Sequence, residues 1–170
     1  MTNSNPFVRT IVKYQDILDA LIQKTNENWV NYRSNSIGHI VIREYRTVGL
    51  FVGRQCGSTT ALIEFANRHP GECLAVFVED KIKQAVLAKF QNAKDNIVSC
   101  LITHQLRKYI HQPEESSIQK DIKEELISSV KYILVDNASF NLNLRGITDK
   151  EFNQWVADTF GTEVMVVRFS

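Results

Sequence analysis

Apolar residues recur at three-to-four spacing through Val8, Ile11, Val12, Ile17, Leu18, Leu21 and Ile22. This spacing predicts one amphipathic helix over residues 7–32, ending near Trp29. The polar stretch 33–38 is a loop or turn, and residues 39–45, rich in β-branched side chains, read as a strand. Residues 48–52 are apolar at every position but the glycine, as a buried parallel strand would be. A helix follows over 58–68, closed by the breaker pair Pro70 and Gly71.

Beyond that break, residues 73–78 form a second buried run. A helix over 80–91 turns Ile82, Val86, Leu87 and Phe90 inward. A strand at 97–103 and a helix at 104–111 come next. The charge-rich segment after Pro113 reads as a loop followed by an exposed helix at 117–127. A strand at 131–135, a helix at 149–160 and a strand at 163–169 complete the pattern. Strands alternating with helices from residue 48 onward imply an α/β fold of three layers on a mainly parallel sheet of about five strands. Residues 1–47 supply an N-terminal helix and strand, residues 48–170 the core, and 170 residues suit one domain.

Charge adds little, with 20 Lys and Arg against 19 Asp and Glu. The balance gives no global attraction to nucleic acid or membrane. No apolar run approaches the ~18 residues of a membrane span, and the polar first residues lack the layout of a secretory signal. The expected location is cytoplasmic, or host cytoplasm for a viral protein. Cys56, Cys73 and Cys100 are odd in number and widely spaced, so neither a disulfide framework nor a zinc site is expected.

The candidate chemistry lies between the strand at 48–52 and the helix at 58–68. Gly53 and Gly57 bracket Arg54, Gln55 and Cys56, and Ser58, Thr59 and Thr60 open the helix. A glycine-rich turn in that position lets backbone N–H groups and a helix N-terminus face a phosphate. Thr59 stands where a hydroxyl would hold Mg²⁺, and Ser58 stands where the phosphate-gripping lysine of the P-loop pattern belongs. The same segment also reads as a plain strand-to-helix connection with a Ser/Thr N-cap. The strand at 131–135 ends in Asp136 and Asn137, which reads either as an ordinary turn or as an acid placed beside a nucleotide-bound Mg²⁺.

Taken in order, these motifs resemble the ATPase domain of viral large terminases, a branch of the helicase-like P-loop NTPases. Gly53 to Thr60 is similar to that family's P-loop, and Asp136, Asn137, Ala138, Ser139 and Phe140 are similar to its Asp-Glu-Ala-Ser-Phe segment. Tyr14 and Gln15 look like its upstream adenine contact. The resemblance implies a three-layer P-loop NTPase-like fold, with ATP as ligand on Gln15, Gly53, Arg54, Gln55, Gly57, Ser58, Thr59 and Thr60. It also implies Mg²⁺ on Thr59 and Asp136, and Arg54 as a γ-phosphate sensor. The departures fall on catalytic positions, because Ser58 replaces the lysine and Asn137 the glutamate. Neither can neutralise transition-state charge or polarise water as the family's residues would.

The expectation is therefore a degenerate, NTPase-like viral accessory or regulatory protein that works through a protein partner, with weak or no hydrolysis and with ATP and Mg²⁺ or no cofactor at all. The alternatives are an active Mg²⁺-dependent ATPase with an atypical cation, such as Arg54, Arg145 or one from a partner, and a nucleic-acid-binding module. Secondary candidates are a reactive Cys56, a metal role for Glu79 and Asp80, and a basic stripe of His104, Arg107, Lys108 and His111. Arg33, Arg43 and Arg46 complete them as loop-proximal cations. Solvated surface is the competing reading for each charged group.

Overall fold

The computed structural model describes residues 13–32, 37–52, 57–90 and 93–170. Among them are five strands, β1 (Thr47–Leu50), β2 (Cys73–Phe77), β3 (Ile97–Ile102), β4 (Tyr132–Val135) and β5 (Met165–Phe169). They form one all-parallel sheet in the order β1-β5-β4-β2-β3. β2 is buried at all five positions, as a strand covered on both faces must be.

Alternation of side chains sorts the sheet's apolar residues onto two faces. Ala75 and Phe77 of β2, Leu134 of β4 and Val167 and Phe169 of β5 pack with one set of helices. These are α1 (Tyr14–Tyr32), α3 (Ser58–Arg68) and α4 (Asp80–Lys89), which contribute Leu18 and Ile22, Phe65, and Val86. Leu74, Val76, Ile133, Val135 and Val166 face the other way. There they meet α2 (Gly38–Tyr45), α6 (Thr103–His111), α7 (Ile118–Asp121), α8 (Glu124–Ser129), α9 (Ala138–Leu144) and α10 (Asp149–Phe160). The result is a three-layer α/β arrangement, and α5 (Ala93–Asn96) is a single turn leading into β3.

The amphipathic helix expected at 7–32 is α1 from Tyr14 onward, with Leu18, Ile22 and Trp29 inward; residues 1–12 lie outside the described part. The strand expected at 39–45 is a helix instead. In α2 the buried pair Val41 and Ile42 faces inward while Arg43 and Glu44 are exposed, a helical pattern that tertiary packing imposes on a β-prone composition. The partner is α10, and the approach is close: a Cβ on Gly38 would lie 2.8 Å from the Cβ of Ala157.

The single exposed helix expected at 117–127 is two short ones, α7 and α8, which bury Ile118 and Ile127 at the core. The short helices α5 and α9 are additions to the expected pattern. Among the described residues no helix is long and apolar enough to cross a membrane.

The α2–α10 contact yields a direct test. Gly38→Val should lower the unfolding free energy by about 1–3 kcal/mol through overpacking, measured by urea denaturation. Ala157→Gly added to the same chain should restore part of that loss even though glycine within a helix carries its own penalty.

Candidate functional site

β5 lies between β1 and β4, and the C-terminal ends of β1 and β4 carry the two motifs singled out from the sequence. Backbone bonds extend the β1–β5 pairing past the strand ends, from Ser170 N to Leu50 O at 2.9 Å and from Val52 N to Ser170 O at 2.7 Å. The ladder between β4 and β2 is prolonged by Asp136 N donating to Val76 O at 3.0 Å. These bonds fix where each strand stops and so where the side chains beyond it stand.

Gly57 precedes α3 with φ of 90°, a left-handed conformation that glycine adopts without a Cβ penalty. Its carbonyl accepts the N–H of Ala61 at 2.8 Å to start the helix. The N–H groups of the first turn, on Ser58, Thr59 and Thr60, have no intrahelical acceptor, as at any helix start. Together with the helix dipole they suit an anion. Gly53, Arg54, Gln55 and Cys56 lie outside the described residues.

In that first turn, the Thr59 hydroxyl donates to Asp136 Oδ1 at 3.0 Å. The bond joins residues 77 apart in sequence. Asp136 is 4% exposed, and burial pushes its carboxyl above the ordinary carboxylate range; the Thr59 hydroxyl and the Asn137 backbone pull it partly back. By donating its proton, Thr59 keeps its oxygen lone pairs available to a further partner.

Asn137, exposed at the start of α9, has φ 49° and ψ 47°. Asparagine is among the few non-glycine residues that take this left-handed conformation readily. The local backbone thus suits an asparagine at residue 137.

Gln15, expected as an adenine contact, is engaged within the protein. Its Nε2 donates to Ala61 O of α3 at 2.8 Å, and its Oε1 accepts from Arg68 Nη1 at 3.2 Å. Arg68 also grips Asp19 at 2.5 Å. Beside this clamp a cavity of about 410 Å³ is lined by Lys13, Tyr14, Gln15, Gly57, Thr60 and Glu64, among others. The structure therefore gathers Gln15, Gly57, Ser58, Thr59, Thr60 and Asp136 around one end of the sheet.

The secondary candidates fall elsewhere. Arg46 is a buried structural cation, holding Asn26 Oδ1 at 2.7 Å and the carbonyls of Glu163 and Val164, with Trp29 against its guanidinium. Arg43 is exposed and pairs with Glu44; Arg33 lies outside the described residues. Asp80 pairs with Lys83 at 2.8 Å in the first turn of α4, and Glu79 is an exposed neighbour. Among the described residues no group of three or more His, Cys, Asp or Glu could hold a metal.

His104, Arg107, Lys108 and His111 are all exposed on α6, with His111 facing Glu151 at 3.3 Å. Arg145 caps α9 and is exposed. Burial pushes the thiols of Cys73 and Cys100 up to about 12 and 11, which makes both poor nucleophiles.

A groove of about 700 Å³ between α6, α7 and α10, lined by Tyr109, His111, Ile118, Glu151 and Trp155 among others, carries no signal in the sequence. Its walls come from segments far apart along the chain, joined only by the fold. In comparisons with known proteins, the chain matches no protein-family model and no curated protein.

The raised Asp136 carboxyl sets a stability prediction with a definite sign. The folded state binds a proton more tightly than the unfolded chain there, so its contribution is most favourable below the ordinary carboxylate pKa. It is lost as pH rises through the folded value. Asp136→Asn keeps an acceptor for Thr59 and removes the buried charge. It should therefore raise the thermal midpoint at pH 7 and flatten the pH dependence of stability between mildly acidic and neutral pH. Thr59→Val removes a bond to a carboxylate and should cost about 1.5–3 kcal/mol at pH 7, read by chemical denaturation.

Proposed function

We propose that the chain is a degenerate P-loop NTPase-like protein of the terminase and helicase kind, which holds a nucleotide weakly and acts through a protein partner with little or no hydrolysis. The observation that carries this reading is the hydrogen bond between Thr59 and the buried Asp136. A hydroxyl at a helix start and an acid at a strand end, both at the C-terminal edge of a parallel sheet, stand where open α/β folds place their ligands. A buried carboxylate with a raised pKa is a kind of group that binding sites use.

The donor set fits Mg²⁺, which is commonly bound through one or two carboxylates plus substrate phosphates while keeping several waters. Thr59 and Asp136 would hold it. When bound, the ion would neutralise phosphate charge. The chain's own contribution is the backbone of Gly57, Ser58, Thr59 and Thr60 for phosphate oxygens and the Ser58 hydroxyl as one further donor. Serine supplies a hydrogen bond without charge, so phosphate binding is weakened and developing negative charge is left without the lysine. Asn137 carries no carboxylate to orient an attacking water. Both effects favour retention of a ligand over turnover, which suits a protein that signals or assembles through its nucleotide-bound form.

Calorimetric titration with ATP should show binding at millimolar nucleotide that needs Mg²⁺ and is lost in Thr59→Ala. Ser58→Lys should strengthen that binding by roughly 10-fold to 100-fold, the worth of one charge-assisted contact. Phosphate release should stay at background in the wild-type chain. Turnover that vanishes in Asp136→Ala would instead establish a working ATPase.

A further inference from the structure

We propose that the outer edge of β1 pairs antiparallel with the β1 edge of a second copy of this chain, joining two five-stranded sheets across a two-fold axis at Gly49. No residue assigned above to phosphate or Mg²⁺ takes part, so such a dimer is independent of the nucleotide reading.

β1 is the outermost strand of the sheet, and its neighbour is β5. The bonds at the ends of that ladder, Val166 N to Arg46 O, Ser170 N to Leu50 O and Val52 N to Ser170 O, use Arg46, Leu50 and Val52 on the β1 side. Strand alternation then turns the main-chain N–H and C=O of Thr47, Gly49 and Phe51 away from the sheet. A row of such groups is a template for another strand, and proteins usually blunt it with charge, proline or a bulge. Residues 47–53 hold no charged residue and no proline, and the β1–β5 register runs without a shift.

Apolar side chains flank this edge on both faces. Phe51 is 64% exposed, its ring folded back over Gly49, where any Cβ would collide with it. On the opposite face Val48 and Leu50 pack with Leu18 and Ile22 of α1. α1 runs antiparallel to β1, since Tyr14 lies by Gly57, beyond the C-terminal end of β1, while Thr25 and Asn28 share a cavity with Thr47 at its start. One helical turn of ~6 Å leads back from Thr25 to Leu21, and two strand residues of ~7 Å lead forward from Thr47 to Gly49. Leu21 therefore stands level with Gly49. Ile17 follows it on the same flank, and the two are 42% and 39% exposed at 17 and 21.

The edge is complementary to itself. Two-fold pairing at Gly49 sets Gly49 against its own counterpart and Thr47 against Phe51, so that each outward N–H meets an outward C=O. No charge on the strand meets its like, and the nearest exposed charges in sequence, Arg43 and Glu44, pair with each other at 2.7 Å. The axis brings the two α1 helices side by side on one face with Leu21 near its counterpart, and on the other face each Phe51 ring covers the partner strand. Such cross-strand contacts stabilise paired strands. β3, at the far edge, carries no exposed large apolar side chain, and its ladder with β2 shifts register between Cys73 and Leu74. The pairing is thus β1 with β1, an isologous contact that closes as a dimer.

Sedimentation equilibrium of the full chain should show the 19.5 kDa monomer in exchange with a species of twice that mass, with a Kd of roughly 1–100 μM, the weak end of specific interfaces. Leu21→Lys and Phe51→Lys, both at exposed positions, should each weaken association by about tenfold or more and leave the thermal midpoint of the dilute protein nearly unchanged. Amide hydrogen exchange of the wild-type chain needs no substitution. Exchange at Thr47, Gly49 and Phe51 should slow several-fold as concentration rises, while Val48 and Leu50 stay protected throughout.

A chain that remains monomeric at millimolar concentration would overturn the proposal and leave the edge to a different partner. A dimer in which Thr47, Gly49 and Phe51 exchange as fast as in the monomer, or which neither lysine substitution weakens, would overturn it by placing the contact elsewhere. Growth beyond the dimer would overturn the two-fold pairing in favour of a head-to-tail contact.

Discussion

The hydrogen bond from Thr59 to Asp136 depends on the order of strands, and the candidate site depends on that bond. With β5 between them, β1 and β4 bring a helix start and a strand end 77 residues apart in sequence to within 3.0 Å. Only one strand separates the two strand ends that carry these residues. The sheet in turn is held by two faces of apolar side chains, with α1 and α3 closing one and α10 and α2 the other. Asp136 sits where these layers leave little water, so its burial is a consequence of the packing that positions it.

That burial has a cost, and its direction is informative. A carboxyl whose pKa is raised by desolvation weakens the fold at neutral pH relative to a neutral isostere. Proteins commonly keep such residues where function requires them at the expense of stability. By contrast, Arg46 is buried with its donors on Asn26 and two main-chain carbonyls, an arrangement that is fully accounted for by structure. Both residues are ionisable and inward-facing.

Much of the architecture is legible in the chain. Continuous apolar runs locate the buried strands, and breaker residues locate the end of α3, whose span of 58–68 the sequence delimits. α10 is legible too, because Thr148 and Glu151 form a capping box at its start and a glycine follows its end. Local propensity misleads at residues 39–45, where Ile40, Val41 and Ile42 favour a strand but docking against α10 makes a helix. α9 is hidden because its start needs a left-handed residue, and the Asp136–Asn137 pair reads from sequence as a simple turn.

The site is half legible for a similar reason. Residue type and spacing identify Thr59 and Asp136, but their direct bond is a product of topology. Gln15 lines the cavity beside the Gly57 turn, and its amide serves the protein's own packing. Its bonds to Ala61 and Arg68 depend on how α1 crosses α3, which periodicity does not specify. Whether the Gly57 turn and Asp136 form one nucleotide site is tested most directly by amide chemical shifts of the chain, recorded during titration with Mg²⁺ and ADP. The largest changes are predicted at Gly57, Ser58, Thr59, Thr60 and Asn137. Changes confined to Thr148, Glu151 and Trp155 at the distant groove, or none at all, would contradict a nucleotide site at the Gly57 turn.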